Sequence, residues 1–176
     1  ALPILKIMKN LDFIGLDENK VSKVREGLAQ LLADFQIYYT NLRNLHWNVK
    51  GHGFFIMHAK YEEMYNAAAL QIDEIAERIL QLGGTPESKF SEYLKVSTIK
   101  ELDKTECSGE AIEYIMSYFK NLIAQERAII ELADKAGDGV TADIMTGYIA
   151  AQEKTIWMLL AFHEHHHKGD CGCEKK

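Results

Sequence analysis

HWNVKGHGFFIMHAKYEEMYNAAALQIDEIAERI, residues 46–79, is the stretch on which the fold turns. From Phe54 to just past its end, Phe54, Met57, Tyr61, Met64, Ala68, Ile72, Ile75, Ile79 and Leu82 recur at steps of three and four. That period is the apolar face of one long α-helix. Gly51 and Gly53 mark a turn before it, and Gly83-Gly84-Thr85-Pro86 ends it. Among the residues of this stretch, His46, His58, Glu62, Asp73 and Glu77 fall at separations of 12, 4, 11 and 4.

The neighbouring segments repeat the helical pattern. Asp17 is placed to cap a helix starting at Glu18, whose stripe is Val24, Leu28, Leu31, Phe35, Tyr38, Leu42 and Leu45. Beyond the glycines, a polar crossover of about twenty residues is expected to hold a short helix near Ser97 to Asp103. Ser108 is then placed to cap a third long helix with Ile112, Ile115, Phe119, Leu122, Ile129 and Ala133. Gly137-Asp138-Gly139 breaks it, and Thr141 is placed to cap a fourth, with Ile144, Tyr148, Ala151, Thr155, Met158 and Phe162 as its stripe. Two long hairpins joined by one long connection predict an all-α, ferritin-like four-helix bundle. The expected organisation is one domain over residues 1–176, with an N-terminal arm (1–16) and a flexible tail containing His and Cys (168–176). A stripe alone reports only a core, so chemistry has to be argued from polar residues beside it.

Composition narrows the classes. Hydrophobic residues at 47%, charged residues at 26% and only two prolines describe an ordinary soluble helical protein. A net charge of −6 argues against a general nucleic-acid binder and suits the collection of cations. Lys6, Lys9, Lys20 and Lys23 are too few and too mixed with apolar residues to make a strong basic patch. Cys107 alone, with Cys171 and Cys173 in the tail, forms no disulfide framework and points to a reducing compartment. The lysine-interrupted N-terminus does not read as a signal peptide, and no apolar run reaches the ~20 residues of a membrane span. A cytoplasmic protein without a membrane partner is expected.

On a helical wheel His58, Glu62, Asp73 and Glu77 fall at about 0°, 40°, 60° and 100°, on one side of the second helix. No lysine lies among these four, as a solvated face would usually have. Imidazole nitrogen mixed with carboxylate oxygen suits iron, manganese or zinc. His58 and Glu62 could share an ion, and so could Asp73 and Glu77. The two pairs are roughly 22 Å apart along the axis, against metal–ligand bonds of about 2 Å. They cannot meet within one chain. Their residue numbers, however, are symmetric, since 58 with 77 and 62 with 73 both total 135. Two antiparallel copies crossing at Ala67-Ala68-Ala69 would place His58 opposite Glu77 and Glu62 opposite Asp73, twice. His46 lies opposite His58 across a hairpin centred on His52 and could reach the same ion.

With these residues in place, the chain resembles the Dps family of mini-ferritins (DNA-binding proteins from starved cells). The resemblance runs from about Val24 to Phe162. It rests on His46-Trp47, Gly51, His58, Glu62, Asp73 and Glu77, on GDGVTAD at 137–143, and on EKTIWMLLAF at 153–162. It implies a dodecameric cage with ferroxidase centres at two-fold dimer interfaces. His46, His58 and Glu62 would come from one subunit, with Asp73 and Glu77 from the other. Such proteins oxidise Fe(II), typically with hydrogen peroxide, and store ferric mineral without releasing hydroxyl radicals. Glu62 departs from the family's usual Asp; the added methylene keeps the charge and alters reach. Trp47 beside His46 is read either as an electron donor near the site or as an aromatic filling the bundle end.

Other features have their own readings. Asp134, Asp138 and Asp143 either line cation-attracting pores or are ordinary helix-end acids. The tail's His163, His165, His166, His167, Cys171 and Cys173 are either a metal-scavenging segment or merely solvated. Glu126 on the third stripe, with Glu164-x-x-His167, raises a rival, an intra-bundle di-iron centre of the ferritin or rubrerythrin type. That rival needs a matching ExxH on the second helix, where Glu74 is followed by Glu77 instead. A second rival is a nucleoid-compacting DNA-binding protein without enzymatic activity.

Overall fold

The computed structural model describes residues 9–166, with side chains described as far as His163. Its elements are α1 (Asn10–Ile14), α2 (Glu18–Asn48), α3 (Phe54–Gln81), α4 (Phe90–Val96), α5 (Ser108–Ala136) and α6 (Gly139–His166). The Asp17 carboxylate accepts the N–H groups of Asn19 and Lys20, so α2 begins where its capping residue dictates. All seven residues of the α2 stripe are buried, at 4% exposure or less. The expected arm is partly helical: α1 buries Leu11 beside Gly83, at the far end of α3.

Contacts across the bundle establish its topology. Asn41 bonds Tyr118, Gln125 bonds Asp34, and Gly27 meets Ile129, so α5 runs antiparallel to α2. α3 is also antiparallel to α2, since His46 pairs with His58 across the turn. The crossover therefore runs the full bundle length, from Gly83 back to Glu106, whose carbonyl accepts the Lys50 N–H. This is the ferritin-like connection, and the described residues contain no strand.

The crossover's short helix is α4, seven residues earlier in the chain than expected. Ser97 to Asp103 is not helical because its polar groups bond to α2 instead. Asp34 accepts the N–H groups of Thr98 and Ile99 and the hydroxyls of Ser97 and Thr98. Gln30 donates to the Val96 carbonyl, Asn41 to Lys100 and Asn44 to Leu102. Gln30, Asp34, Asn41 and Asn44 thus form a polar stripe at helical spacing that straps the crossover down.

Two caps also differ from expectation. Cys107, not Ser108, occupies the N-cap position of α5. At α6 the Asp138 carboxylate accepts the Thr141 N–H and hydroxyl, so Asp138 does the capping. The α6 stripe is also displaced: Met145, Tyr148, Ile149, Gln152 and Leu159 are buried, whereas Ala151 and Met158 are exposed. This helix is apolar on most sides and one of its core positions is a glutamine, so its period is blurred.

Candidate metal centre

α2 and α3 bring His46 and His58 together immediately beside the turn. His46 Nδ1 lies 2.8 Å from the His58 carbonyl oxygen, and His58 Nδ1 lies 2.9 Å from the His46 carbonyl oxygen. A carbonyl only accepts, so each Nδ1 donates, and in the neutral ring Nε2 then carries the free lone pair. The reciprocal bond forms because α2 ends at Asn48 and the Lys50 N–H turns away to Glu106, leaving the His46 carbonyl for His58. The rings stack at 3.8 Å and 21°. Phe54 stacks on the far side of His58 at 5.0 Å, and Tyr65 sets its edge against His46 at 5.3 Å. Both imidazoles are therefore fixed in tautomer and orientation before any ion arrives.

Glu62, Asp73 and Glu77 project from the exposed side of α3. Because α3 is unbroken from Phe54 to Gln81, the separation between the His58–Glu62 and Asp73–Glu77 pairs is real. Among the described residues, no three His, Cys, Asp or Glu side chains of one chain gather closely enough to hold a metal ion. Of the three alanines at the expected crossing point, Ala68 is buried in its own bundle and cannot face a partner. Ala67 and Ala69 are exposed, and wheel geometry puts only Ala69 on the acidic side.

Trp47 does not fill the bundle end. It is 64% exposed, and the Arg43 guanidinium lies over its ring at 4.6 Å and over Tyr39 at 5.4 Å. Tyr39 in turn meets the edge of Tyr65. Phe54 entered the sequence reading only as an apolar-stripe residue, and Tyr65 not at all. Phe54 was nevertheless legible, four residues before His58 and so one turn below it.

Of the three acids near the α5–α6 junction, Asp138 is buried and engaged within the fold. It pairs with Arg78 at 2.6 Å, while Arg78 Nε donates to Thr141. Asp138 is therefore not a pore residue, whereas Asp134 and Asp143 are exposed. Glu126 is fully buried and accepts one bond, from Gln152 Nε2 at 2.6 Å. Burial pushes its carboxyl up to about 7, with the Gln152 bond pulling the other way. The Glu164-x-x-His167 half of the rival di-iron centre and the remaining tail ligands (His165, His166, His167, Cys171, Cys173) lie outside the described side chains, as does Lys6. His163 is half-buried, and Lys9, Lys20 and Lys23 are exposed. No helix among the described residues is long and apolar enough to cross a membrane.

Comparison with known proteins places this geometry in a family. The ferritin-like domain family matches residues 25–166. A DNA protection during starvation protein from Porphyromonas gingivalis is 50% identical over 154 residues, covering 88% of this chain and 97% of its own. The crystal structure of a Dps protein from Vibrio cholerae O1 superposes with TM-score 0.82 at 44% identity, covering 85% of this chain and 94% of that one. It is described as a member of a broad superfamily of ferritin-like diiron-carboxylate proteins. Dps from Staphylococcus aureus superposes with TM-score 0.78 at 38% identity, covering 81% and 95%. The chain belongs to the ferritin-like family and, within it, to the Dps proteins.

Proposed function

We propose that this protein is a ferroxidase that oxidises Fe(II) with hydrogen peroxide and stores the ferric product in a cage-like oligomer, expected to be a dodecamer of two-fold dimers. The observation that carries the reading is the reciprocal His46–His58 pair, which leaves two adjacent Nε2 lone pairs beside an exposed acidic helix face. In this reading His46, His58 and Glu62 of one chain and Asp73 and Glu77 of a second bind the iron substrate. Carboxylates favour Fe(III) over Fe(II), so oxidation is assisted and weak binding lets the product leave. Two Fe(II) ions give up one electron each to one peroxide, which with two protons leaves as two waters. Peroxide is thus consumed without a one-electron product.

Assembly is supported by the apolar surface a lone chain would expose: Phe55 at 85%, Leu70 at 74% and Leu80 at 50% on α3, and Trp157 at 66% on α6. Leu70 and Leu80 flank the acidic residues, as expected for a helix that meets another copy. Asp134 and Asp143 are the remaining candidates to attract cations to a pore. Trp47, exposed and stacked under Arg43, is assigned the role of auxiliary electron donor. The net charge of −6 favours protection of DNA through removal of iron and peroxide rather than through contact with it. A cytoplasmic location accords with this chemistry.

The test is Fe(II) oxidation followed by ferric absorbance after peroxide is added under anaerobic conditions. The wild-type assembly should oxidise iron well above a protein-free control, and His46→Ala, His58→Ala and Asp73→Ala proteins should not. A wild-type rate equal to the control would remove the proposal. Slow oxidation by the wild type but rapid gel retardation of DNA at low salt would favour the compaction reading instead.

A further inference from the structure

Three carboxylates are buried among the described residues, and their surroundings differ. Asp34 receives backbone N–H groups and hydroxyls, and Asp138 receives Arg78 and Thr141. Glu126 has neither a cation nor a backbone donor. Its Oε1 accepts from Gln152 Nε2, while its Oε2 and the Gln152 Oε1 are both buried without a partner. These are two orphaned acceptors on two planar groups already joined by one hydrogen bond. In a medium of low polarity each orphan costs stability.

A single proton removes the conflict. On Glu126 Oε2 it becomes an O–H donor to Gln152 Oε1, and the two groups close a ring of two hydrogen bonds. The pairing holds whichever way the amide is placed, because one end of the amide donates and the other accepts, whereas a carboxylate offers only acceptors. We infer that Glu126 of α5 and Gln152 of α6 form a neutral acid–amide pair that retains a proton in the bundle core, a pH-sensitive lock on the α5–α6 seam.

The groups facing the pair supply no positive charge to ionise it. Tyr38 faces it from α2 and Tyr148 from α6. The Tyr148 hydroxyl donates to Glu74 of α3, and Tyr118 of α5 packs on Tyr38. Two tyrosine rings and a carboxylate beyond one of them all disfavour a second negative charge here. Folded Glu126 therefore keeps its proton to higher pH than the unfolded chain does. Stability must fall as pH rises from the ordinary carboxylate range to about 7.

The experiment compares the wild-type assembly with Glu126→Gln, whose amide pairs with Gln152 through two hydrogen bonds without a proton. Infrared spectra of the wild type should show a protonated-acid carbonyl band that survives at mildly acidic pH, bleaches through neutrality and is absent from the variant. The wild-type melting temperature should fall across the same range, while that of Glu126→Gln stays level and is the higher of the two in mild alkali. Matching pH profiles for the two proteins would overturn the inference. Should the variant fail to assemble, the wild-type spectrum decides alone, and a band lost in the ordinary carboxylate range would contradict the lock.

Discussion

His46 and His58 each donate Nδ1 to the other's backbone carbonyl, at 2.8 and 2.9 Å, so each ring is held by the backbone that carries its partner, and the two rings stack. The pair acts as a unit. His46→Ala should therefore weaken Fe(II) binding beyond the loss of one ligand, because His58 loses the ring stacked on it, although its Nδ1–H keeps the backbone carbonyl of residue 46. Such orienting partners are worth about 10–100-fold in metal affinity. Anaerobic Fe(II) titration calorimetry of His46→Ala and His58→Ala should give similar losses; a clear loss in only one would show that the rings act independently.

Asp138 pairs with Arg78 out of water and caps α6 at the same time. Asp138→Ala leaves a buried guanidinium uncompensated and should cost about 3–5 kcal/mol. Removing the exposed Glu92 partner of Lys95 should cost less than about 1 kcal/mol. Denaturant midpoints of the two variants at equal protein concentration provide the check, and equal shifts would contradict the assignment.

Asp34 is held below the usual carboxylate range. Burial alone would raise it, but the Ile99 N–H, the Ser97 hydroxyl, and the Gln30 and Gln125 amides together outweigh burial. A carboxyl lowered in the folded state contributes stability above its unfolded value, 3.8, and loses that contribution as pH falls through the folded value. Asp34→Asn should loosen the 97–103 segment at neutral pH, at a cost of about 1–3 kcal/mol. Hydrogen exchange at Thr98 and Ile99 should accelerate in the variant and, in the wild type, only in strong acid.

If Asp134 and Asp143 focus cations at a pore, Asp134→Asn and Asp143→Asn should slow iron uptake most at low ionic strength, where the field is least screened. Oxidation of pre-bound iron should be unchanged. Stopped-flow uptake at two salt concentrations separates the effects, and a salt-independent loss would point to damaged folding.

The bundle was legible because α2, α3 and α5 keep one apolar residue per turn on their buried faces, and period alone encodes that. The candidate ligands were legible because one continuous helix converts residue number into axial distance, so that 58 to 73 rules out a single-chain site. What stayed hidden depends on partners distant in sequence. The crossover helix was misplaced because Thr98 and Ile99 answer to Asp34, more than sixty residues away. Asp138 stayed open between a pore acid and a helix-end acid because nothing local announces Arg78. The α6 stripe was displaced because Gln152 belongs in the core only by virtue of Glu126. Polar residues at helical spacing on α2 did carry a signal, read correctly only once the crossover is seen lying along them.

In the proposed centre, each iron site takes residues from two chains. The direct measurement is co-assembly of His46→Ala/His58→Ala chains with Asp73→Ala/Glu77→Ala chains, each inactive alone. In a mixed two-fold dimer, one of the two sites draws His46, His58 and Glu62 from the second type and Asp73 and Glu77 from the first, and is intact. Random equal mixing should then restore about one quarter of the wild-type Fe(II) oxidation rate. A co-assembled oligomer as inactive as its parents would contradict a shared site.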